Sequence, residues 1–203
     1  MKTFIKIITN TTRKVLDFFG VDAKINHGSK RIAILFKKQG FAIKIPRIRI
    51  FEAIRCAWDA RNNDEWSYIF FFRKSSPLYT TAYSLLFEGI FENWRERQFS
   101  KNYGDHPFIV PTVFSFLGLI NIMKLGLPLS REVNMYYTIR LTENPELINA
   151  LCKDSHHFMN GCNFVIYNNH IAIVDYGSLR TQEVVFRNFS TLNTLPISNE
   201  PAN

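Results

Sequence analysis

The chain has little cysteine, no long uninterrupted apolar run and comparatively few carboxylates, and each shortage excludes something. Its three cysteines, Cys56, Cys152 and Cys162, are an odd number with no close metal-binding pair. A disulfide framework and a zinc site are therefore not expected, and a reducing compartment is. The longest apolar stretch, residues 108–123, is broken by Pro111, Gly118 and Asn121; it falls short of the ~18 residues a membrane span needs. The opening MKTFIKIITNTTRK has only a short apolar core cut by Lys6, which is not the pattern of a signal peptide. Together these absences predict a cytoplasmic protein without a membrane span. The shortage of acid leaves a formal charge of +8. That charge suits an acidic partner: nucleotide, nucleic acid, anionic membrane or acidic protein. No aromatic-basic repeat or recognition-helix signature accompanies it, so nucleic-acid binding is the distant alternative.

What is present belongs to a globular protein. At 203 residues, 46% of them hydrophobic and 19 of them Phe, the chain can build one substantial core or two small lobes. Residues 10–19 read as a short helix stopped by Gly20, with Val15, Leu16 and Phe19 on one face docking onto their own domain. Residues 31–36 and 41–45 read as strands, and Lys37-Lys38-Gln39-Gly40 as their hairpin turn. Lys44 falls among apolar neighbours, and strand alternation alone would let it point to water from an edge strand. Residues 50–61 read as a helix and 66–72 as a strand or packed helix. Arg47, Arg49, Arg55 and Arg61 make a basic cluster there, by default a solvated helix face.

Residues 83–101 read as a longer helix with Leu86, Ile90, Phe91 and Trp94 on its apolar side. Glu88, Glu92 and Glu96 follow one another at i, i+4 spacing. Like charges so placed repel, and Arg95 and Arg97 are their nearest local counter-charges. Residues 110–116 and 119–124 form an apolar hairpin with Gly118 near the turn. Residues 130–140 and 145–152 are helical by pattern, with capping signals at Ser130 and Asn144.

The chemistry concentrates in residues 152–177, CKDSHHFMNGCNFVIYNNHIAIVDYG. Residues 164–167 and 171–174 read as two short strands joined by Asn168-Asn169-His170. Such a hairpin brings the amide of Asn163 and the carboxylate of Asp175 to one mouth. Two oxygen-bearing side chains completed by substrate phosphates are a common way of holding Mg²⁺. The histidines at 156 and 157, with an ordinary pKa near ~6.5, suit general-base work. Asp154 is a remoter candidate.

This stretch resembles the catalytic and metal loops of the protein-kinase-like fold. His156 takes the family's His position, Asn163 its Asn, and Asp175-Tyr176-Gly177 its Asp-Phe-Gly. In that family the loop histidine, here His156, is by default a packing residue. Phe158 stands where the family has its catalytic Asp and can accept no proton. FAIKIP resembles the strand bearing the phosphate-binding lysine, here Lys44. A helix glutamate, Glu96 first and Glu92 second, would orient that lysine. Leu125-Gly126-Leu127-Pro128 resembles the hinge between lobes. Of the glycine-rich loop only Gly28 is in place.

The resemblance implies an α+β, two-lobed kinase-like fold, with a five-stranded antiparallel N-lobe sheet and a minimal, truncated helical C-lobe. The corresponding organisation is a helical extension over 1–27, an N-lobe over 28–126 with an insertion near 46–84, a C-lobe over 127–190, and a tail over 191–203. The flavour is that of compact bacterial or phage members. It implies ATP and Mg²⁺ as cofactors, with Lys44, Glu96 and Glu92 on the nucleotide side. Asn163 and Asp175 would hold the metal, and His157 or His156 would act as base. Two functions follow: a small phosphotransferase acting on a protein or small-molecule hydroxyl, or a pseudokinase that regulates an acidic protein partner.

Overall fold

The computed structural model describes residues 22–62, 81–144, 147–148, 154–158 and 163–193. The helix expected at 10–19, the element at 66–72 and most of the helix at 145–152 lie outside the described residues, as does the side chain of His156. What is described is a mixed α+β protein. Strands β1 (Ala23–His27), β2 (Arg31–Phe36), β3 (Phe41–Pro46), β4 (Thr112–Phe116) and β5 (Ile120–Lys124) form an antiparallel sheet in the order β1-β2-β3-β5-β4. Helices α1 (Ile50–Asn62) and α2 (Ala82–Tyr103) fall between β3 and β4 in the chain. A three-stranded sheet follows, made of β6 (Leu127–Pro128), β7 (Phe164–Tyr167) and β8 (His170–Ile173). The remaining helices are α3 (Arg131–Glu143), the single turn α4 (Ser155–Phe158), α5 (Leu179–Arg187) and α6 (Phe189–Asn193). The chain divides into two compact units: Met1–Trp94 with Ser115–Ile122, and Arg95–Phe114 with Met123–Asn203.

In the first unit the β-branched runs pair as their alternation predicts. Ile34 faces Ile43 and Phe36 faces Phe41 across β2 and β3, and the last two rings stack at 4.7 Å. Gly40 closes the turn at φ 70°, donating its N–H to the Phe36 carbonyl at 3.0 Å. The sheet begins at Ala23, inside the stretch assigned above to an N-terminal extension. β3 is an interior strand between β2 and β5, so Lys44 is buried rather than pointing to water from an edge.

The buried side of α2 also differs from the apolar stripe expected. Trp94 is exposed, while Glu92, Asn93, Glu96 and Ser100 are buried. This polar face is satisfied chiefly by partners distant in sequence. The Asn93 side-chain N–H groups donate to the carbonyls of Gly118 at 2.9 Å and Lys44 at 3.3 Å, and its oxygen accepts from Arg31 at 3.3 Å. Asn121 donates to the Asn93 carbonyl at 2.7 Å. Such bonds hold a helix in register, because a buried polar group without a partner costs about 1–3 kcal/mol.

The second unit contains the larger core, built from residues including Phe108, Tyr137, Leu141, Phe158, Phe164 and Tyr176. Burying each such side chain contributes about 1.5–3 kcal/mol. Ser130 caps α3 as its sequence predicts, its hydroxyl accepting from the Val133 N–H at 3.2 Å. Residues 108–110 run beside β8: the Val110 N–H donates to the Ile173 carbonyl at 3.2 Å, and the Ile173 N–H to Phe108 at 2.9 Å. After Gly177, α5 buries Thr181, Val184 and Val185, and α6 carries ordered helix to Asn193, past the expected start of the tail.

Candidate functional site

The β7–β8 hairpin positions the chemistry. Its turn is tighter than expected: Tyr167 pairs with His170, so Asn168 and Asn169 alone make the loop. Both adopt positive φ, 49° and 61°, the combination of a two-residue type I′ turn, which Asn tolerates better than most residues. At the other end the Val174 N–H donates to the Asn163 carbonyl at 2.9 Å. This bond extends the hairpin and sets Asn163 opposite the residue preceding Asp175. The expected meeting of the amide and carboxylate positions at one mouth is therefore a feature of the backbone.

A short network leads from this mouth into α4. The Asn163 side-chain N–H donates to the His157 carbonyl at 3.0 Å. That contact engages the nitrogen end of the amide, so the oxygen is the end that would meet a cation. His157 Nδ1 lies 2.8 Å from Asp154 Oδ1. The Thr181 hydroxyl donates to Asp154 Oδ2 at 2.5 Å. Asp154 is buried, and both its oxygens are thereby engaged. A carboxylate so placed holds the proton of a neutral imidazole on Nδ1, making Nε2 the basic nitrogen. Phe158, at the position of the missing Asp, is fully buried against Phe164 and offers no chemistry.

Tyr176, the middle residue of Asp-Tyr-Gly, is a core pillar. Its hydroxyl donates to the Val110 carbonyl at 2.7 Å and lies 3.2 Å from Thr112 Oγ1. The Gln182 amide donates to the Tyr176 carbonyl at 2.9 Å. Burial, and next the negative charge of Glu96, push the Tyr176 pKa well above the ordinary tyrosine value. Asp175 thus adjoins a fully buried, hydrogen-bonded tyrosine.

The helix carboxylates separate by partner. Lys30 bridges Glu88 at 2.7 Å and Glu92 at 2.8 Å, and Arg31 approaches Glu92 at 3.5 Å. The repulsion expected along the glutamate series is relieved by the strand side, at least for these two. Glu92 is committed to Lys30 and Arg31, while Glu96 lies fully buried in the second unit. Lys44 and Glu92 belong to the first unit; His157, Asn163 and Asp175 belong to the second. Gly28 sits in the β1–β2 turn, its N–H donating to the Arg31 carbonyl at 2.8 Å.

Two contributors had no sequence signal. Thr181 follows Asp154 by 27 residues, and no motif links them. Lys30 reads as one turn lysine among many until the fold sets it against α2. Among the described residues no group of three or more His, Cys, Asp or Glu is placed to hold a metal. An amide-carboxylate pair completed by phosphate oxygens and water does not need one, and the donor set suits a hard cation such as Mg²⁺. Compared with known proteins, the chain matches no family model and no curated protein.

Proposed function

We propose that the chain is a kinase-like protein that binds ATP with Mg²⁺ and transfers the γ-phosphoryl group to a hydroxyl of a protein or small molecule. The observation that supports this most is the hydrogen-bonded series Thr181–Asp154–His157–Asn163, ending at the mouth of the hairpin beside Asp175. Asn163 and Asp175 would hold the metal, which neutralises phosphate charge. Lys44 and Glu96 keep the nucleotide-side roles that the kinase resemblance gives them. His157, oriented by Asp154, takes the proton of the attacking hydroxyl. The new O–P bond forms as the bond to the β-phosphate oxygen breaks, and ADP leaves. Phosphoryl transfer depends mainly on positioning and charge neutralisation, so an imidazole in place of the usual carboxylate is compatible with turnover. Such an ATP-consuming reaction would fit the cytoplasmic location expected from the sequence.

Thermal-shift titration with ATP, with and without Mg²⁺, tests the site. Stabilisation that requires the metal and vanishes in Asp175→Ala is the expected result; full nucleotide binding by that variant overturns the assignment. A second reading rests on Phe158, whose burial removes the usual base from its place. In that reading the chain is a pseudokinase, binding nucleotide while regulating an acidic protein partner. Nucleotide binding without any ATP turnover, unchanged in His157→Ala, would select it.

A further inference from the structure

Helix α1 is built inside out. Its small residues, Ala53, Cys56 and Ala57, pack against Ala82, Leu85 and Leu86. Its large ones face solvent: Phe51 is 82% exposed, Ile54 60% and Trp58 60%. Positions i, i+3 and i+7 fall on one side of a helix, so these three form a continuous apolar stripe. Arginines stand on both flanks. The Arg61 guanidinium lies over the Trp58 ring, 5.7 Å from its centre, and Arg55 borders the opposite side. The two carboxylates of α1 lie off the stripe and have cations beside them: Glu52 meets Arg49, and Asp59 lies 4.0 Å from Arg55.

The charge of the whole sequence is distributed in the same sense. Sixteen of the 25 Lys and Arg residues, but six of the 17 Asp and Glu, fall within the first 80 residues. The positive surplus therefore belongs to the part of the chain that carries α1. No helix among the described residues is long and apolar enough to cross a membrane. A convex stripe of Trp, Phe and Ile between arginines has the composition of a helix lying in the headgroup layer. There the rings and aliphatic groups enter the acyl boundary while guanidinium groups reach lipid phosphates. The positive surplus of this part of the chain favours an anionic lipid surface as the occupant of the stripe.

We propose that α1 docks on an anionic lipid surface, with Phe51, Ile54 and Trp58 inserted and Arg55 and Arg61 on headgroup phosphates. This docking stands independently of the phosphotransfer reading. Co-sedimentation of the full chain with vesicles tests it, using mixed phosphatidylcholine and phosphatidylglycerol against phosphatidylcholine alone. The expected result is binding to the anionic vesicles that weakens with added salt. The combined variant Phe51→Ser, Ile54→Ser, Trp58→Ser should abolish it. Arg55→Gln with Arg61→Gln should weaken it roughly thirtyfold while leaving the apolar stripe intact. Since these side chains are exposed, both variants should melt as the parent does, which circular dichroism checks. The proposal is overturned if the parent stays in the supernatant, or if the serine variant sediments equally well. It is also overturned if vesicle binding is absent while the chain forms a dimer that Trp58→Ser dissociates, or binds polyglutamate instead.

Discussion

At the scale of single residues, two buried tyrosines make a controlled contrast. Tyr176 has its hydroxyl bonded to the Val110 carbonyl. The Tyr137 hydroxyl, buried in α3, has no hydrogen-bond partner among the described residues. Replacing a satisfied hydroxyl leaves its partner unpaired, whereas removing an unsatisfied one relieves a desolvation cost. Tyr176→Phe should therefore lose about 1–2 kcal/mol in urea unfolding, and Tyr137→Phe should be neutral or gain up to about 1 kcal/mol. Burial raises both pKa values above the ordinary tyrosine value. Above pH ~10 the unfolded chain releases phenolic protons that the folded chain retains, so stability falls as pH rises through that range. Either Phe substitution should flatten the decline. An unchanged alkaline slope in both variants would show that these hydroxyls do not control it.

At the scale of elements, the turns decide how strands and helices meet. Gly118, in the β4–β5 turn, sits at φ 73°, and a Cβ there would stand 2.3 Å from the Ile90 carbonyl of α2. Its own carbonyl accepts from Asn93. Gly118→Ala thus combines a left-handed backbone with a backbone clash, and should cost about 2–4 kcal/mol by chemical denaturation. A loss below about 0.5 kcal/mol, the scale of an ordinary surface substitution, would mean that the turn and helix are not in this contact. The β7–β8 turn offers the opposite case. Asn169 occupies a positive-φ site that glycine adopts more readily, so Asn169→Gly should stabilise by about 0.5 kcal/mol and leave ATP binding unchanged. A destabilised variant would argue against the two-residue turn.

For the whole molecule, ligand linkage is the informative measurement. If the proposed nucleotide site is real, ATP at a hundred times its Kd with Mg²⁺ should add about 2.7 kcal/mol to stability. A chain of this size would then melt roughly 5–11 °C higher. The His157→Ala protein should keep that shift while losing turnover, since the role proposed for the imidazole is on the acceptor hydroxyl rather than on the nucleotide. Loss of the shift in His157→Ala would instead mean that His157 supports Asn163 through its carbonyl contact region and has no separate role as base.

Much of the element map was legible before any coordinates. The β-branched runs at 31–36 and 164–167, the Gly40 and Gly118 turns and the Ser130 cap all obey rules that act over a few residues. The likeness of FAIKIP and His-to-Asp-Tyr-Gly to kinase motifs is also a property of short windows. The partners were not legible. One strand's alternation does not say whether it lies at an edge or inside a sheet, and only the fold sets Lys44 in an interior strand. Helical periodicity put Trp94 on the inner side of α2, yet the fold buries Glu92, Asn93 and Glu96 there, because Lys30, Arg31 and the Gly118 carbonyl supply partners for the first two. Asp154 reads as one acid among several until α5 brings Thr181 to it. Local sterics and backbone hydrogen bonding act over a few residues, so the runs at 31–36, 41–46 and 164–167 could be read in the chain, whereas β1, α5 and α6 could not. The meeting of Lys30 with Glu88 and Glu92, and of Asn93 with the Gly118 carbonyl, joins residues far apart in the chain and exists once the core has packed.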